Sequence, residues 1–327
     1  MNGSRESMYD IMESIPIHTS GISPLMDHRF LGSLSSSTIE PVYLTITDGT
    51  SRGYIAGLRI KPRYQLIRLS GLYRSLIFFT GPVLSQGMDF QTSIDALTHY
   101  CRAKGYCALT ILPYDNPVDD ELPLKDLNMN SCEEFFIDVE GEPEYNRTTR
   151  KKRNRALRNG LNFHISSEHL DELMDLLEQT RLSREKRGYK QFNKFWLPYV
   201  DERSMRSMLD TGVAIIMMVS QGNEILSANF VLVNDTKAYG ISLGTSMAGY
   251  SSGANVLIFT EGVEYLRSRG VSTFNIGGYS SMEPSEGLVL FKKGLGAVSR
   301  KCIGYRSPFL QGKVLESISR LKRGISR

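Results

Sequence analysis

Short apolar runs that alternate with amphipathic, helix-length segments are the feature of this sequence that most limits its fold. The longest apolar stretches, Val213–Val219 and Ile225–Val233, have the length of strands and are far too short to span a membrane. Apolar runs of this length are typical of buried strands, and the segments between them are typical of helices that pack on a sheet. The sequence therefore predicts an α/β chain.

The chain is long enough for two domains. Its 327 residues correspond to two domains of about 150 residues each. Hydrophobic residues make up 41% and charged residues 23%, which excludes a largely disordered chain. The segment Glu140–Tyr145, with its Gly and Pro, is a candidate hinge. We expect an N-terminal lobe at 1–144, a C-terminal lobe at 145–312 and a basic helix or tail at 313–327.

A similar order of elements in the two halves predicts a duplicated architecture. Asp48-Gly49, between two β-rich segments, is a strong signal for a tight hairpin. In the first half we expect strands at 41–47, 53–60, 76–80, 106–112 and 132–139 and a helix at 90–104. In the second half we expect strands at 161–166, 213–220, 224–233, 238–243, 272–276 and 299–305 and helices at 171–187, 255–269 and 311–322. No residue-level repeat accompanies this order.

The N-terminus and the cysteines both bear on the cellular compartment. Residues 1–17 include four charged side chains and lack the apolar core of a signal peptide. The cysteines form no CxxC pair and no metal-ligand spacing, which indicates reduced structural thiols: Cys101, Cys107, Cys132 and Cys302. These observations favour a cytoplasmic protein without a transmembrane segment or a metal site.

The segment 147–158 is strongly basic and contains no acidic residue. On a helix, Arg147, Lys151, Arg155 and Arg158 fall along one face, and Arg150 adds a further charge. Such a stripe of unpaired positive charge suits the phosphates of tRNA, of a nucleotide-sugar or of coenzyme A. An ordinary solvated helix face is the alternative interpretation. No DNA-reading motif accompanies the segment, so we do not expect DNA as a partner.

The segment Phe274–Gly296 carries the most specific pattern in the chain. A strand is followed by a glycine pair, a loop, a Gly-Leu pair and a Phe-Lys pair before a further glycine: Gly277, Gly278, Gly287, Leu288, Phe291, Lys292 and Gly296. This pattern resembles the Fem family of peptidyltransferases, which belongs to the Gcn5-related N-acetyltransferase (GNAT) superfamily. The resemblance implies two tandem GNAT-like lobes with mixed, largely antiparallel sheets.

The resemblance also implies an activity, because Fem enzymes move amino acids from tRNA onto peptidoglycan precursors. The implied donor is aminoacyl-tRNA, the acceptor is a peptide or a nucleotide-linked small molecule, and no cofactor is implied. Lys292 would stabilise negative charge during acyl transfer, beside an apolar wall formed by Phe291. By the same resemblance, substrate contacts fall on Arg184, Arg187, Tyr189, Tyr239, Gly278 and Tyr279. The phosphates of the donor would meet the basic segment, at Arg147, Arg150, Lys151, Arg155 and Arg158.

Two other functions stay open at this point. An acyl-coenzyme A-dependent N-acyltransferase would share the fold, but Gly249–Gly253 lacks the Arg/Gln-x-x-Gly-x-Gly/Ala pattern that holds a pyrophosphate. A non-catalytic tRNA- or nucleotide-binding protein would keep the basic segment without depending on Lys292. Gly240–Gly244 also matches the G-x-S-x-G pattern of hydrolases, in which the serine lies on a sharp turn from a strand into a helix. We do not assign this function, because a loop rather than a helix is expected in Thr245–Gly253.

Two further segments have weaker assignments. Glu283 and Glu286, in the loop before Phe291, are candidates to accept a proton from an attacking amine. The basic segment Lys313–Arg327 is a candidate for peripheral contact with tRNA or with an anionic membrane surface. A solvated tail is the alternative for this segment.

Overall fold

The fold is described from a computed structural model, which covers residues 9–17, 21–61, 74–118, 123–124, 127–188, 194–280 and 286–309. The strands are β1 (Asp10–Glu13), β2 (Ile39–Thr47), β3 (Arg52–Ile60), β4 (Ser75–Phe78), β5 (Val83–Leu84), β6 (Ala108–Ile111), β7 (Asn128–Asp138), β8 (Asn162–Ser166), β9 (Ala214–Gln221), β10 (Glu224–Val233), β11 (Lys237–Thr245), β12 (Thr273–Ser280) and β13 (Val298–Pro308). The helices are α1 (His28–Ser33), α2 (Phe90–Ala103), α3 (Arg147–Arg158), α4 (Leu170–Lys186), α5 (Glu202–Asp210), α6 (Met247–Ser252), α7 (Ala254–Ser268) and α8 (Glu286–Gly294).

The chain divides into two compact units, which we call the N-terminal and C-terminal units. The N-terminal unit contains residues 1–18, 34–132 and 301–327, and the C-terminal unit contains residues 19–33 and 133–300. The lobe boundary predicted between 144 and 145 stays a prediction. The helix predicted at 311–322 and the tail at 313–327 lie outside the described residues.

The sheet of the N-terminal unit has the order β1-β2-β3-β4-β6-β13, with β5 paired to β3. Its described pairs are antiparallel except β4 with β6, which are parallel and are joined through α2. The predicted hairpin at Asp48-Gly49 is confirmed between β2 and β3. The Asp48 carboxylate accepts hydrogen bonds from the backbone N–H groups of Thr50 and Ser51, and Gly49 supplies the positive φ of 93°.

The sheet of the C-terminal unit has the order β7-β12-β11-β10-β9-β8. Strands β8 to β11 pair antiparallel, and β11 pairs parallel with β12 through the crossover that contains α7. Helix α4 packs closely on β11, since a Cβ at Gly244 would lie 2.7 Å from the Leu176 Cβ. Helix α7 packs on β9, where Gly262 lies against the sulfur of Met217. The predicted mixed, largely antiparallel α/β architecture is thereby confirmed.

Strands β11 and β12 pair over three residues only. Their parallel register runs from Lys237 opposite Thr273 to Tyr239 opposite Asn275, although both strands continue for several more residues. Immediately beyond the last pair, Gly277 takes a φ of 73°, which only glycine adopts without strain. The strands therefore separate at this point, and the space between them is the centre of the site described below.

The other predicted elements within the described residues are present with end shifts of at most four residues, but β1, β5, α1, α5 and α6 were not predicted. The expectation of a loop in Thr245–Gly253 is wrong, because Met247–Ser252 is helical. Gly249 and Gly253 give the segment the composition of a loop. Tertiary packing overrides that composition, since a Cβ at Gly249 would lie 2.4 Å from a backbone carbonyl of β10.

Candidate active site

A cavity of about 260 Å³ opens in the C-terminal unit where β11 and β12 separate. Its walls come from α4, β10, β11, α6, α7, β12 and α8. Lys292 on α8 reaches the cavity beside Gly277 and Gly278 of β12, and Phe291 forms the neighbouring wall. The Phe-Lys pair and the glycine pair of the sequence pattern therefore lie around one space.

Lys292 is anchored by the main chain of β12. Its side-chain ammonium donates hydrogen bonds to the carbonyl oxygens of Ile276 at 2.9 Å and Gly277 at 2.7 Å. The Nζ atom also lies 5.1 Å from the centre of the Phe135 ring, over its face. Two of the three N–H donors of an ammonium are used in this way. The third is therefore available to a group inside the cavity.

Burial changes the acid–base behaviour of Lys292. The residue is only 7% exposed, and desolvation lowers the pKa of its ammonium to about 8, against the raising effect of the nearby Glu134 carboxylate. At neutral pH the ammonium therefore still carries its charge. It loses that charge about two and a half pH units below the ordinary pKa of a lysine, 10.5.

A buried polar network supports the part of β12 that holds Lys292, the positive-φ turn at Gly277, which we call the bulge of β12. The Glu134 carboxylate, on β7, accepts hydrogen bonds from the Tyr239 hydroxyl at 2.7 Å and from the Asn275 amide at 2.8 Å. Asn275 in turn accepts a hydrogen bond from the backbone N–H of Gly277 at 2.9 Å. Glu134, Asn275 and Tyr239 are each at most 1% exposed. The two hydrogen bonds to Glu134 are thus shielded from water, where a hydrogen bond is electrostatically stronger, and the bond to Gly277 is partly buried.

Aromatic rings and cations complete the cavity. Phe291 packs edge-on against Phe259 of α7, with ring centroids 5.9 Å apart. Arg184 of α4 and Lys194 lie in the wall with Lys292. Among the described residues that line the cavity, none is a carboxylate. Lys194 is paired with the Glu178 carboxylate, whereas Lys292 is bonded only to main-chain carbonyl oxygens among its described hydrogen bonds. The cavity thus combines apolar rings with a cation, which suits an anionic or developing-oxyanion group.

The residues predicted to bind substrate do not all reach this cavity. Arg184 and Gly278 line it, and Gly278 is so close to β7 that a Cβ would lie 1.9 Å from the Glu133 carbonyl oxygen. Tyr239 is fully buried behind it as a partner of Glu134. Tyr279 points elsewhere and donates a 2.7 Å hydrogen bond to the Glu133 side chain. Tyr239 and Tyr279 are thus placed to support the site rather than to contact a ligand in the cavity.

The remaining predicted site residues have separate placements. Arg187 follows α4, is exposed, and lies 3.8 Å from the sulfur of Met247. Of the two candidate bases, Glu286 is exposed at the start of α8 and does not line the cavity. Tyr189 and Glu283 lie outside the described residues.

The basic segment forms the predicted helix, α3. Asn146 caps it by accepting a hydrogen bond from the Thr149 backbone N–H at 2.8 Å. Arg153 pairs with Glu261 of α7 at 2.8 Å, and Arg155 donates to the Ser251 carbonyl oxygen of α6 at 2.7 Å. The other cations predicted to meet phosphates are exposed on this helix: Arg147, Arg150, Lys151 and Arg158. Helix α3 therefore presents positive charge beside α6, and Tyr250 of α6 lines the cavity.

The segment between β11 and α7 uses several of its backbone N–H groups internally. Gly249 donates to the Ser246 side chain, Tyr250 to the Ser246 carbonyl oxygen and Gly253 to the Gly249 carbonyl oxygen. A coenzyme A phosphate needs such N–H groups to be available. These three N–H groups are therefore not available to a phosphate.

The hydrolase pattern is also accounted for. Ser242 lies inside β11, is 7% exposed, and donates its hydroxyl hydrogen to the Lys194 carbonyl oxygen. A hydrolase nucleophile sits at the end of a strand on a sharp turn into a helix. The helix that follows begins only at Met247, so Ser242 has a structural role.

Sequence reasoning missed several residues of the site. Glu134 directly precedes the buried apolar run Phe135–Ile137, and Asn275 lies between the buried residues Phe274 and Ile276, which was a usable signal for a buried network. Lys194, Trp196 and Tyr250 come from segments without a recognised pattern, and their position depends on tertiary packing. Within the described part of the chain, no helix is long and apolar enough to cross a bilayer, and no three side chains are grouped as metal ligands.

Comparisons with known proteins agree with this geometry. A family profile described as Acetyltransferase (GNAT) domain matches residues 144–284. The crystal structure of FemX superposes with a TM-score of 0.64 at 14% identity, covering 90% of this chain and 94% of FemX. No curated protein sequence matches the chain significantly.

Two lysylphosphatidylglycerol synthetase structures also share the fold. The C-terminal domain of the putative enzyme from Agrobacterium fabrum has a TM-score of 0.52 at 16% identity and covers 82% of this chain and 85% of that one. The enzyme from Bacillus licheniformis, called L-PGS, has a TM-score of 0.51 at 18% identity, with coverages of 86% and 87%. The fold is thus that of the GNAT transferases. The Fem-like architecture predicted from Phe274–Gly296 is confirmed at the level of the fold.

Proposed function

We propose that this protein is an aminoacyltransferase, which moves an aminoacyl group from aminoacyl-tRNA to an amine of a peptide or peptidoglycan precursor. The observation that carries the proposal is Lys292, a buried ammonium in the wall of a cavity that is fixed on two backbone carbonyls. A tRNA donor would place the reaction in the cytoplasm. No metal or cofactor takes part in the proposed reaction.

Acyl transfer gives Lys292 a defined task. The acceptor amine attacks the ester carbonyl carbon, and the carbonyl oxygen takes up negative charge in a tetrahedral intermediate. When the intermediate collapses, the bond to the ribose oxygen breaks and an amide remains. The amine loses one proton and the ribose oxygen gains one, so the reaction is balanced. A preorganised cation at the oxyanion lowers this barrier, and removing one such donor typically costs about 10²–10³ in kcat.

The charge of α3 favours tRNA as the donor. Exposed cations on this helix continue towards α6, and α6 forms part of the cavity wall through Tyr250. A phosphate backbone lying along α3 would thereby bring an RNA end to the cavity. The filled N–H groups of the segment between β11 and α7 argue against coenzyme A. FemX and the two lysylphosphatidylglycerol synthetases, as fold relatives, support an aminoacyl group as the cargo.

A coenzyme A-dependent N-acyltransferase is the second candidate. The match of residues 144–284 to an acetyltransferase domain is the observation that favours it. The two candidates differ in donor and share the cavity and Lys292.

Donor choice tests the proposal. Total tRNA charged with labelled amino acids, or labelled acetyl-coenzyme A, is incubated with the protein and a peptidoglycan-precursor pentapeptide in free and nucleotide-linked form. Transfer from tRNA converts an alkali-labile ester label into an alkali-stable amide. Lys292→Met should abolish most of this transfer, whereas Lys293→Met should not, because Lys293 is the exposed neighbour on the same helix.

The alternatives give different results. Label that moves only from acetyl-coenzyme A would replace the proposal with an N-acyltransferase. Tight, salt-sensitive tRNA binding without transfer, unchanged in Lys292→Met, would instead identify a tRNA-binding protein.

A further inference from the structure

Helix α6 is held by three contacts, one with β10 and two with α3. Gly249 rests directly on β10, since a Cβ there would lie 2.4 Å from a backbone carbonyl oxygen. Gly253 ends the helix with a φ of 93°, and a Cβ there would lie 3.0 Å from the Lys152 carbonyl oxygen of α3. Arg155 of α3 donates to the Ser251 carbonyl oxygen. A six-residue helix has little stability of its own, so these contacts fix the direction of its outer face.

That outer face is apolar. Met247 and Tyr250 are spaced i, i+3 and are therefore neighbours on the helix surface, with exposures of 59% and 42%. The fixing contacts of α6 do not use either side chain, apart from the approach of the Met247 sulfur to Ser183 and Arg187 at 3.6 and 3.8 Å. Tyr250 is also part of the cavity wall that Lys292 shares.

Cations lie on both sides of this face. Arg187 is beside Met247, and Arg155 reaches α6 from α3. The hydrogen bond of Arg155 to Ser251 uses one of the five N–H donors of its guanidinium, so the group still has donors for an anion. An exposed aromatic ring between cations, at the entrance of a cavity, is the combination that binds unpaired nucleotides.

We propose that Met247 and Tyr250 form a stacking platform for an unpaired base at the 3′ end of an RNA, with Arg155 and Arg187 facing its phosphates. The inference rests on the proposed function, because it describes how the single-stranded end of that donor reaches the cavity. Bases stack on aromatic rings whatever their identity, so the platform needs no specific sequence.

The same surface is a poor membrane anchor. Tyr250 is partly enclosed in the cavity wall, and the neighbouring backbone N–H groups of Gly249 and Gly253 are already bonded inside the segment. Two exposed apolar side chains on a six-residue helix offer little area for insertion into a bilayer, whereas one exposed ring is enough to stack a base. A planar base that continues into the cavity fits this shape better than an acyl chain.

Binding of deacylated tRNA tests the platform without requiring turnover. Dissociation constants are measured at one fixed salt concentration for intact tRNA and for the same tRNA without its unpaired 3′ nucleotides. Tyr250→Ala should weaken binding of intact tRNA by about 5- to 150-fold, the loss expected for one base–aromatic stack. Tyr250→Phe should bind like the unmodified protein. Tyr199→Ala is the matched control, since Tyr199 is 40% exposed and does not line the cavity.

The truncated tRNA, which lacks the unpaired 3′ nucleotides, separates the outcomes. Its affinity for the unmodified protein should be as low as the affinity of intact tRNA for Tyr250→Ala. Tyr250→Ala should not lower the affinity for the truncated tRNA any further. Equal effects of Tyr250→Ala on both RNAs would overturn the platform while leaving tRNA binding, and the proposed function, intact. If Tyr250→Ala instead lowers binding to phosphatidylglycerol vesicles and leaves tRNA binding unchanged, the face is a membrane contact. Absence of any tRNA binding would remove the proposed function and the platform together.

Discussion

The ammonium of Lys292 lies 2.7 Å from the carbonyl oxygen of Gly277, a residue whose φ of 73° turns that carbonyl towards α8. The charge at the centre of the cavity is therefore oriented by a main-chain bulge in β12. Because the same bulge separates β12 from β11, one local feature both opens the cavity and positions its cation.

Catalysis should depend on the charge of Lys292. Lys292→Met is expected to lower kcat by about 10²–10³, because it removes the preorganised donor for the oxyanion. Since the pKa of Lys292 is about 8, the rate of the unmodified protein should fall as the pH rises through that value. Single-turnover rates, corrected for hydrolysis of the ester, measure both effects. A rate that stays constant up to pH 10 would contradict this role.

Removal of the Glu134 charge should shift that pH profile. The carboxylate raises the pKa of Lys292, so Glu134→Gln, which keeps the shape and most hydrogen bonds, is expected to move the alkaline limb to lower pH. The other charged groups in the cavity wall, Arg184 and Lys194, are cations and remain in the variant. A purely structural effect of Glu134 would lower the rate at every pH without changing the pH at which the rate falls. That pH therefore distinguishes an electrostatic from a structural role of Glu134.

Lys292 should also leave a signature in stability. Its pKa of about 8 in the folded chain lies below the ordinary value of 10.5, so between these values the unfolded chain binds a proton that the folded chain has lost. The free energy of unfolding should then rise with pH in this window, by up to about 3 kcal/mol relative to Lys292→Met. Urea denaturation of both proteins at several pH values measures the difference. Parallel curves would show that Lys292 titrates normally.

Gly278 should tolerate no side chain. Gly278→Ala would place a Cβ 1.9 Å from the Glu133 carbonyl oxygen, so β12 and β7 must move apart. Forced overpacking of this kind typically costs about 1–3 kcal/mol of stability. Gly287→Ala is the matched control, because Gly287 lies in α8 with no atom within 4 Å of its added Cβ. Thermal or urea unfolding should show a loss for the first variant only.

The basic face of α3 should set the salt dependence of tRNA binding. Replacing Arg147, Lys151 and Arg158 with Gln is expected to reduce the slope of log K against log salt by roughly 2–3, if each cation meets one phosphate. The control replaces the exposed cations Arg52, Arg206 and Arg269, which lie on other elements. An equal change in both variants would indicate only a general effect of net charge.

The sequence predicts the parts of the site that are close along the chain. Phe291 and Lys292 lie within about fifteen residues of the glycine pair at 277–278, and β12 and α8 bring them together. Periodicity also predicts most strands, because each apolar run is buried on at least one face. The tandem architecture followed from the order of these elements.

The rest depends on contacts between residues that are far apart in the chain. Glu134 meets Asn275 across 141 positions and Tyr239 across 105, and no local pattern predicts such a pairing. The resemblance implied that Tyr239 contacts substrate, whereas the Tyr239 side chain is fully buried and supports the site through Glu134. Helix α6 was missed for a related reason, since its two glycines are required by neighbouring backbone rather than by a loop.

The anchoring of Lys292 by carbonyl oxygens has a consequence for how such a site diverges. Every residue contributes a carbonyl, so replacement of Ile276 by another apolar residue would leave the anchor unchanged. The anchor requires only that the main chain of β12 keeps its course at residues 276–277 and that position 292 remains a lysine. A site defined in this way can survive extensive drift of its surroundings, which accords with a shared fold at 14% identity. Lineages could thus alter the pocket around the cation while inheriting the cation itself.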